Sequence, residues 1–127
     1  MKEFGLFINN DWRQTHTTFE SINPATEEAI ATLASAEIED VDRAVMAART
    51  AFDSGVWSCM PAGERGRMLR RVADMLRDRA EEFAVAETLD TGKPIFESRN
   101  VDIPIAIDSI DYYASLVVDI VGKSIPV

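Results

Sequence analysis

The sequence predicts an α/β chain in which small β hairpin and strand units come first and about four α-helices follow, so that helix dominates. Three observations carry this reading. The first 36 residues hold short β-branched and aromatic runs separated by Asn-Asn and Asn-Pro turn signals. From Ile38 onward the apolar period changes from two to steps of three and four. Glycine and proline then punctuate the helical part at Ser54-Gly55, Pro61, Gly92-Lys93-Pro94 and Gly122-Lys123. At 127 residues and 46% hydrophobic composition, the chain fits one domain with ample material for a core.

Gly5-Leu6-Phe7-Ile8, Asn9-Asn10 and Asp11-Trp12-Arg13 form a hairpin pattern, because asparagine tolerates the positive φ of a tight two-residue turn. Residues 17–22 suit a second strand, and Asn23-Pro24-Ala25-Thr26-Glu27-Glu28 turns the chain into a third over residues 29–33. Ile38, Val41, Val45, Ala48 and Phe52 make one apolar stripe, with Glu37, Glu39 and Asp40 in the first turn, where the helix dipole favours acids. After the loop Val56-Trp57-Ser58-Cys59-Met60, Pro61 opens a second helix whose expected buried side is Met68, Leu69, Val72, Met75 and Leu76. Its other side carries Arg65, Arg67, Arg70, Arg71, Arg77 and Arg79; interleaved acids make this a solvated, salt-bridged face rather than an anion site. A third helix spans residues 80–89. A short turn or helix leads from Pro94 to Asn100, and the longest stripe follows: Ile103, Ile107, Ile110, Ala114, Val117 and Val121. Ile105, Leu116 and Val118 fall off that stripe, so this helix expects cover on more than one side. The expected organisation is β units over residues 1–36, a helical part over 37–122, and the start of a further strand over 123–127.

The stretch Glu87-Thr88-Leu89-Asp90-Thr91-Gly92-Lys93-Pro94 organises the rest. Gly92 can adopt the left-handed conformation that ends a helix, Lys93 sits near the negative end of the dipole, and Pro94 prevents continuation. Asp90 is the exception, an acid where the dipole disfavours one, and it calls for a positive partner, either a side chain or a bound cation.

Composition excludes several functions. With 22 acidic against 13 basic residues, the net charge of -9 repels phosphate backbones, so no nucleic acid is expected. No apolar run reaches membrane-spanning length, which predicts a chain that does not cross a membrane and resides in the cytoplasm. The single cysteine, Cys59, lies in a loop after a tryptophan with no base beside it, and reads as inert. His16, in a Thr-rich loop, reads as a surface residue. Neither glycine-rich phosphate motif is present, and Gly63 and Gly66 fall in a helix start. No catalytic residue and no dinucleotide-binding residue is assigned within the chain.

Several ordered motifs nevertheless resemble one family. Leu6-Phe7-Ile8-Asn9-Asn10-Asp11-Trp12, Ile22-Asn23-Pro24-Ala25-Thr26-Glu27-Glu28, and Asp40-Val41-Asp42-Arg43-Ala44-Val45 with Ala47-Ala48-Arg49 and Ala51-Phe52 are similar to the start of the aldehyde dehydrogenase superfamily. Glu64-Arg65 with Leu69, the Glu87-to-Pro94 stretch, Asp111-Tyr112-Tyr113-Ala114 and Gly122-Lys123-Ser124-Ile125-Pro126 continue the resemblance in order. Within the family, the Glu87 stretch looks most like enzymes that oxidise betaine aldehyde or amino-aldehydes. The resemblance implies a Rossmann-like NAD or NADP domain, a catalytic domain and an oligomerisation hairpin. The implied chemistry is oxidation of an aldehyde to a carboxylate through a cysteine thiohemiacetal, hydride transfer and thioester hydrolysis. The nucleophile, base, oxyanion donor and cofactor loops lie beyond the region resembled, so the chain by itself is expected to be inactive, and Cys59 does not hold the nucleophile's place. The implied partners are the aldehyde, the remainder of an aldehyde dehydrogenase chain and, when complete, further subunits in a dimer or tetramer.

Two sites follow from the resemblance. A structural K⁺ or Na⁺ would be held by the backbone carbonyls at Ser21 and Ile22 and by the carboxylate of Asp90, a set of one carboxylate and neutral carbonyls suited to a hard, singly charged ion. The alternative is that Asp90 simply accepts hydrogen bonds from Thr91 or Lys93. Val101 and Ile105 would face the tunnel by which the aldehyde enters, with ordinary burial as the alternative; Asp102 is the nearby acid. The reading from a different class is a freestanding acidic helical interaction module.

Overall fold

The computed structural model describes residues 2–119 and 122. Five short strands precede the helices: β1 (Lys2–Phe4), β2 (Leu6–Ile8), β3 (Asp11–Arg13), β4 (Thr18–Ile22) and β5 (Ala29–Ala34). Strands β2 and β3 form the expected hairpin, with Leu6 opposite Arg13 and Ile8 opposite Asp11. Asn9 and Asn10 both take positive φ, 53° and 61°, as the mirror-image turn requires. Strands β4 and β5 pair antiparallel around the Asn23 turn, where Asn23 Oδ1 accepts the Ala25 amide at 2.9 Å.

Sequence reasoning missed β1. It pairs parallel with β5, Lys2 opposite Ala31 and Phe4 opposite Leu33, giving a three-stranded sheet in the order β1-β5-β4. Three residues are too few to show a period, and their partner lies about thirty positions away, so no local pattern announces the strand.

Helices α1 (Ile38–Asp53), α2 (Ala62–Asp78) and α3 (Ala80–Thr91) follow, then a single turn α4 (Ile95–Glu97), a π-helical turn at Ser98–Asp102 and α5 (Ile103–Leu116). Helix α1 opens with the Glu37 amide donating to the Asp40 carboxylate at 3.1 Å, and Arg43 donates to the same group. The Arg43 hydrogen bond, ahead of the backbone one, holds Asp40 below the usual carboxylate range. The arginine row is in part salt-bridged and in part solvated: Arg67 pairs with Glu64, Arg77 with Asp74 and with Asp111 of α5, and Arg79 with Glu82, while Arg70 and Arg71 are exposed and Arg65 donates to the Met60 carbonyl.

The core is small: Ala73, Ala84, Ile103 and Ile107, flanked by Leu76, Ala80, Ile95 and Ile110. Helices α2 and α5 meet at Gly66, where an added Cβ would lie 2.7 Å from the Ala114 carbonyl oxygen and 2.9 Å from Val117 Cγ2. The α5 stripe is covered as expected at Ile103, Ile107 and Ala114. The helix ends at Leu116 rather than continuing to Gly122-Lys123, and Val121 and the expected strand over residues 123–127 lie outside the described residues.

Two expected buried faces are corrected. On α2 the buried positions are Gly66 and Ala73, because α5 approaches on the small-residue side; of the expected face Leu69 and Leu76 are half-buried, Leu76 against the core, while Met68, Val72 and Met75 are exposed. On α1 the whole stripe Ile38, Val41, Val45, Ala48 and Phe52 is exposed, since the helix touches the described chain chiefly at β2. The stripe is amphipathic, but nothing among the described residues covers it.

Candidate functional site

The Glu87-to-Pro94 stretch ends α3 as its residue types dictate. Gly92 sits in the left-handed region at φ 76°, its amide donates to the Thr88 carbonyl at 2.9 Å, and Pro94 opens the next turn. A Cβ at Gly92 would meet the Pro24 ring at 3.1 Å. The Asn-Pro turn and the helix stop are therefore in contact, although about seventy residues separate them in the chain.

This contact brings two of the three cation-site candidates together. Ser21 Oγ donates to Asp90 Oδ1 at 2.6 Å. Asp90 thus takes its hydrogen bond from β4 and not from Thr91 or Lys93, which are engaged elsewhere: Thr91 Oγ1 donates to the Glu87 carbonyl and Lys93 Nζ binds acids. The pairing of β4 with β5 slips between Ser21 and Ile22, a bulge that interrupts the ladder beside Asp90. The Ser21 hydroxyl, which donates to Asp90 here, is not one of the expected ligands, which are the backbone carbonyls at Ser21 and Ile22 and the Asp90 carboxylate. Among the described residues no group of three or more His, Cys, Asp or Glu side chains gathers.

Lys93 clips the next element into place. Its Nζ lies 2.7 Å from Asp102 and 3.2 Å from Glu87, tying the end of α3 to the junction of the π turn and α5. The hydrogen bonds that Lys93 donates to Asp102 and then to Glu87 raise its pKa. Beneath the clip, Ser98 is fully buried and its hydroxyl pairs with Thr88 Oγ1 at 2.9 Å. Arg99 makes a forked contact with Glu81 on the outer side. Sequence reasoning named Lys93 and Asp102 but not their pairing, and it missed Ser98 and the π turn. A π turn adds one residue to a helical period, and the irregular spacing between Ile95 and Ile103 is its only trace in the sequence.

Val101 and Ile105, the tunnel candidates, stand four residues apart across this junction, 43% and 58% exposed. Ile105 points away from the buried Ile103 and Ile107, as its off-stripe position predicts.

The residues present do not fit a dinucleotide. Gly66 is pressed against the α5 backbone and unavailable to a pyrophosphate, and Gly63 belongs to the first turn of α2, with the Arg67 guanidinium over it. Cys59 is exposed, with the Ser58 hydroxyl 4.0 Å away and no base in contact. No helix among the described residues is long and apolar enough to cross a membrane.

Comparison with known proteins agrees with this geometry. The aldehyde dehydrogenase family model matches residues 12–127. The aldehyde dehydrogenase-type protein DhaS of Bacillus subtilis (strain 168) is 48% identical over 110 residues, covering 87% of this chain and 22% of that protein. The NAD⁺ complex structure of aldehyde dehydrogenase from Bacillus cereus superposes with a TM-score of 0.94 at 39% identity, over 99% of this chain and 26% of the other. The gamma-glutamyl-gamma-aminobutyraldehyde dehydrogenase of Burkholderia cenocepacia J2315 does so with a TM-score of 0.95 at 34% identity, over 100% of this chain and 26% of that one. The chain thus spans about a quarter of the length of these relatives and corresponds to the N-terminal part of their fold. Motif order, the packing of the Asn-Pro turn on the Gly92 stop, and these matches lead to one conclusion: the chain belongs to the aldehyde dehydrogenase family.

Proposed function

We propose that this chain serves as the N-terminal part of an NAD(P)-dependent aldehyde dehydrogenase that oxidises an aldehyde to a carboxylate. The observation that carries the reading is the superposition of nearly the whole chain on an NAD⁺-complexed aldehyde dehydrogenase at 39% identity. The nucleophile and the dinucleotide site come from protein beyond these 127 residues. NAD or NADP would supply the hydride acceptor there; the present residues contribute the scaffold that places the π turn and α5.

In that scaffold Val101 and Ile105 wall the aldehyde's route. Their exposure beside the buried Ser98, Ile103 and Ile107 supports this role. Asp102 is ion-paired to Lys93 at 2.7 Å, which leaves it poorly placed to receive a cationic substrate. An uncharged aldehyde therefore suits this wall better than betaine aldehyde or an amino-aldehyde. Ser21, Ile22 and Asp90 hold a structural K⁺ or Na⁺, and the assembled protein works in the cytoplasm as a dimer or tetramer.

The test is to follow NADH formation with an aliphatic aldehyde. The chain alone gives no rate above the blank, and turnover by it alone would refute the assignment of the catalytic groups elsewhere. For the cation, replacing K⁺ by choline lowers the thermal midpoint of the chain, and Asp90→Asn abolishes that dependence. A midpoint indifferent to the ion removes the site.

A further inference from the structure

The π turn at Ser98–Asp102 is tied to α3 and to its stop at three points. Ser98 pairs with Thr88 Oγ1 at 2.9 Å, Arg99 donates both prongs of its guanidinium to Glu81, and Asp102 accepts from Lys93 Nζ at 2.7 Å. The Ile103 amide closes the turn by donating to the Ser98 carbonyl, five residues back. At 3.6 residues per turn, positions five apart stand about 140° round the axis from one another. The π bond stacks them instead, and Ser98 and Ile103 are both buried. An uninterrupted α-helix would stack positions four apart. With Ser98 held inward it would carry Asp102 inward, off Lys93; with Ile103 held inward it would carry Arg99 inward, off Glu81. Either way a charged side chain would lose its partner and enter the core, which is costly. The two ion pairs and the hydroxyl pair therefore select the π register. Val101 makes none of these ties, and Asn100 donates only to the Phe96 carbonyl of its own helical run. Val101 thus takes its outward direction from anchored neighbours at 98, 99 and 102. Such turns are uncommon and recur at functional sites.

We propose that Thr88, Lys93 and Ser98 are positioning residues for the aldehyde's route: by holding the π register they set Val101 beside Ile105, and with it the fit of a long apolar aldehyde. This rests on the reading, under Proposed function, that Val101 and Ile105 wall that route. Losing a tie lets the turn relax to the α register, which swings Val101 about 100° round the axis, one residue's step. The substrates that feel the change are long and uncharged, because the wall is two apolar side chains and the nearby acid, Asp102, is held by Lys93. Acetaldehyde, with a single methyl group, has little surface to lay against such a wall.

The test uses a full-length polypeptide in which this chain replaces the superposing quarter of Bacillus cereus aldehyde dehydrogenase, and compares octanal with acetaldehyde. Lys93→Met and Ser98→Ala should each lower kcat/KM for octanal at least fivefold relative to acetaldehyde, through KM rather than kcat, and Lys93→Arg should restore the ratio to within twofold. A merely structural role lowers both aldehydes alike, and that result overturns the proposal. Val101→Ala separates the two readings. If it shifts the octanal ratio while Lys93→Met does not, the positioning role falls and the wall stands; if neither shifts it, the wall falls and the positioning role with it. Should the joined polypeptide give no turnover, amide hydrogen exchange in the 127-residue chain decides. Lys93→Met should then speed exchange of the Ile103 amide at least tenfold more than that of the Ala73 amide in α2, because the five-residue bond opens while α2 stays closed. Equal acceleration at the two amides, or none, refutes the role of Lys93 in holding the turn.

Discussion

Gly66 is where the packing of α2 on α5 can be tested by one methyl group. In Gly66→Ala the new Cβ would stand 2.7 Å from the Ala114 carbonyl oxygen and 2.9 Å from Val117 Cγ2. The first contact is with backbone, which cannot rotate away, so the helices must separate. Overpacking of this kind costs about 1–3 kcal/mol. Alanine in place of glycine in a helix returns about 0.8–1 kcal/mol of propensity, so the net loss is up to about 2 kcal/mol. Gly63→Ala is the internal control, because the nearest atom there is the tip of Arg67 at 3.7 Å and the propensity gain stands unopposed. The two variants should therefore differ by about 1–3 kcal/mol, on the order of 4–12 °C in midpoint for a chain of this size. Thermal unfolding followed by circular dichroism reads the difference directly. If Gly66→Ala melts at or above Gly63→Ala, the close crossing of α2 and α5 at Ala114 is wrong.

The buried hydroxyl pair of Thr88 and Ser98 gives a second test: Ser98→Ala should cost about 1–3 kcal/mol by leaving Thr88 without its partner, and Thr88→Val in the same chain should recover part of it. A strictly additive double-mutant cycle would show that the 2.9 Å contact carries no coupling. Lys93 gives a third, through pH. Its hydrogen bonds to Asp102 and Glu87 raise its folded pKa above the unfolded value, so the stabilisation is complete below the unfolded lysine pKa and is lost as pH rises through the folded one. Lys93→Met should remove that alkaline loss and leave the rest of the pH profile in place. An unchanged alkaline limb would mean that the clip does not stabilise the fold.

Much of this fold was legible because local chemistry decided it. Asn9-Asn10 specifies a mirror-image turn, Gly92 specifies a helix stop, and the step-of-three-and-four pattern of α5 specifies which of its faces is covered. The candidate site was legible in its parts. The acid at the end of α3 pointed to a positive partner for Asp90, and the structure gives it a neutral one instead, the Ser21 hydroxyl of β4, which no local pattern brings beside it. What sequence could not show was pairing at a distance: the parallel match of β1 with β5, the reach of Lys93 to Asp102, and the π turn that shifts the register ahead of Ile103.

The misread faces of α1 and α2 teach something different. An apolar stripe at helical spacing records that a face is to be covered, and by itself it says nothing of what covers it. On α5 the cover comes from α2 and α3, so pattern and burial agree. On α1 the pattern is equally regular, yet Ile38, Val45 and Phe52 are 61–77% exposed. The same excess recurs at Phe83, Val85 and Leu89 on α3, and at Met68, Val72 and Met75 on α2. Three helices thus carry an apolar face more than the described residues enclose. Exposed apolar surface on that scale marks an interface. The disagreement between periodicity and burial is itself structural information: it separates contacts completed within these residues, centred on Gly66, Ala73 and Ile107, from contacts that await a partner.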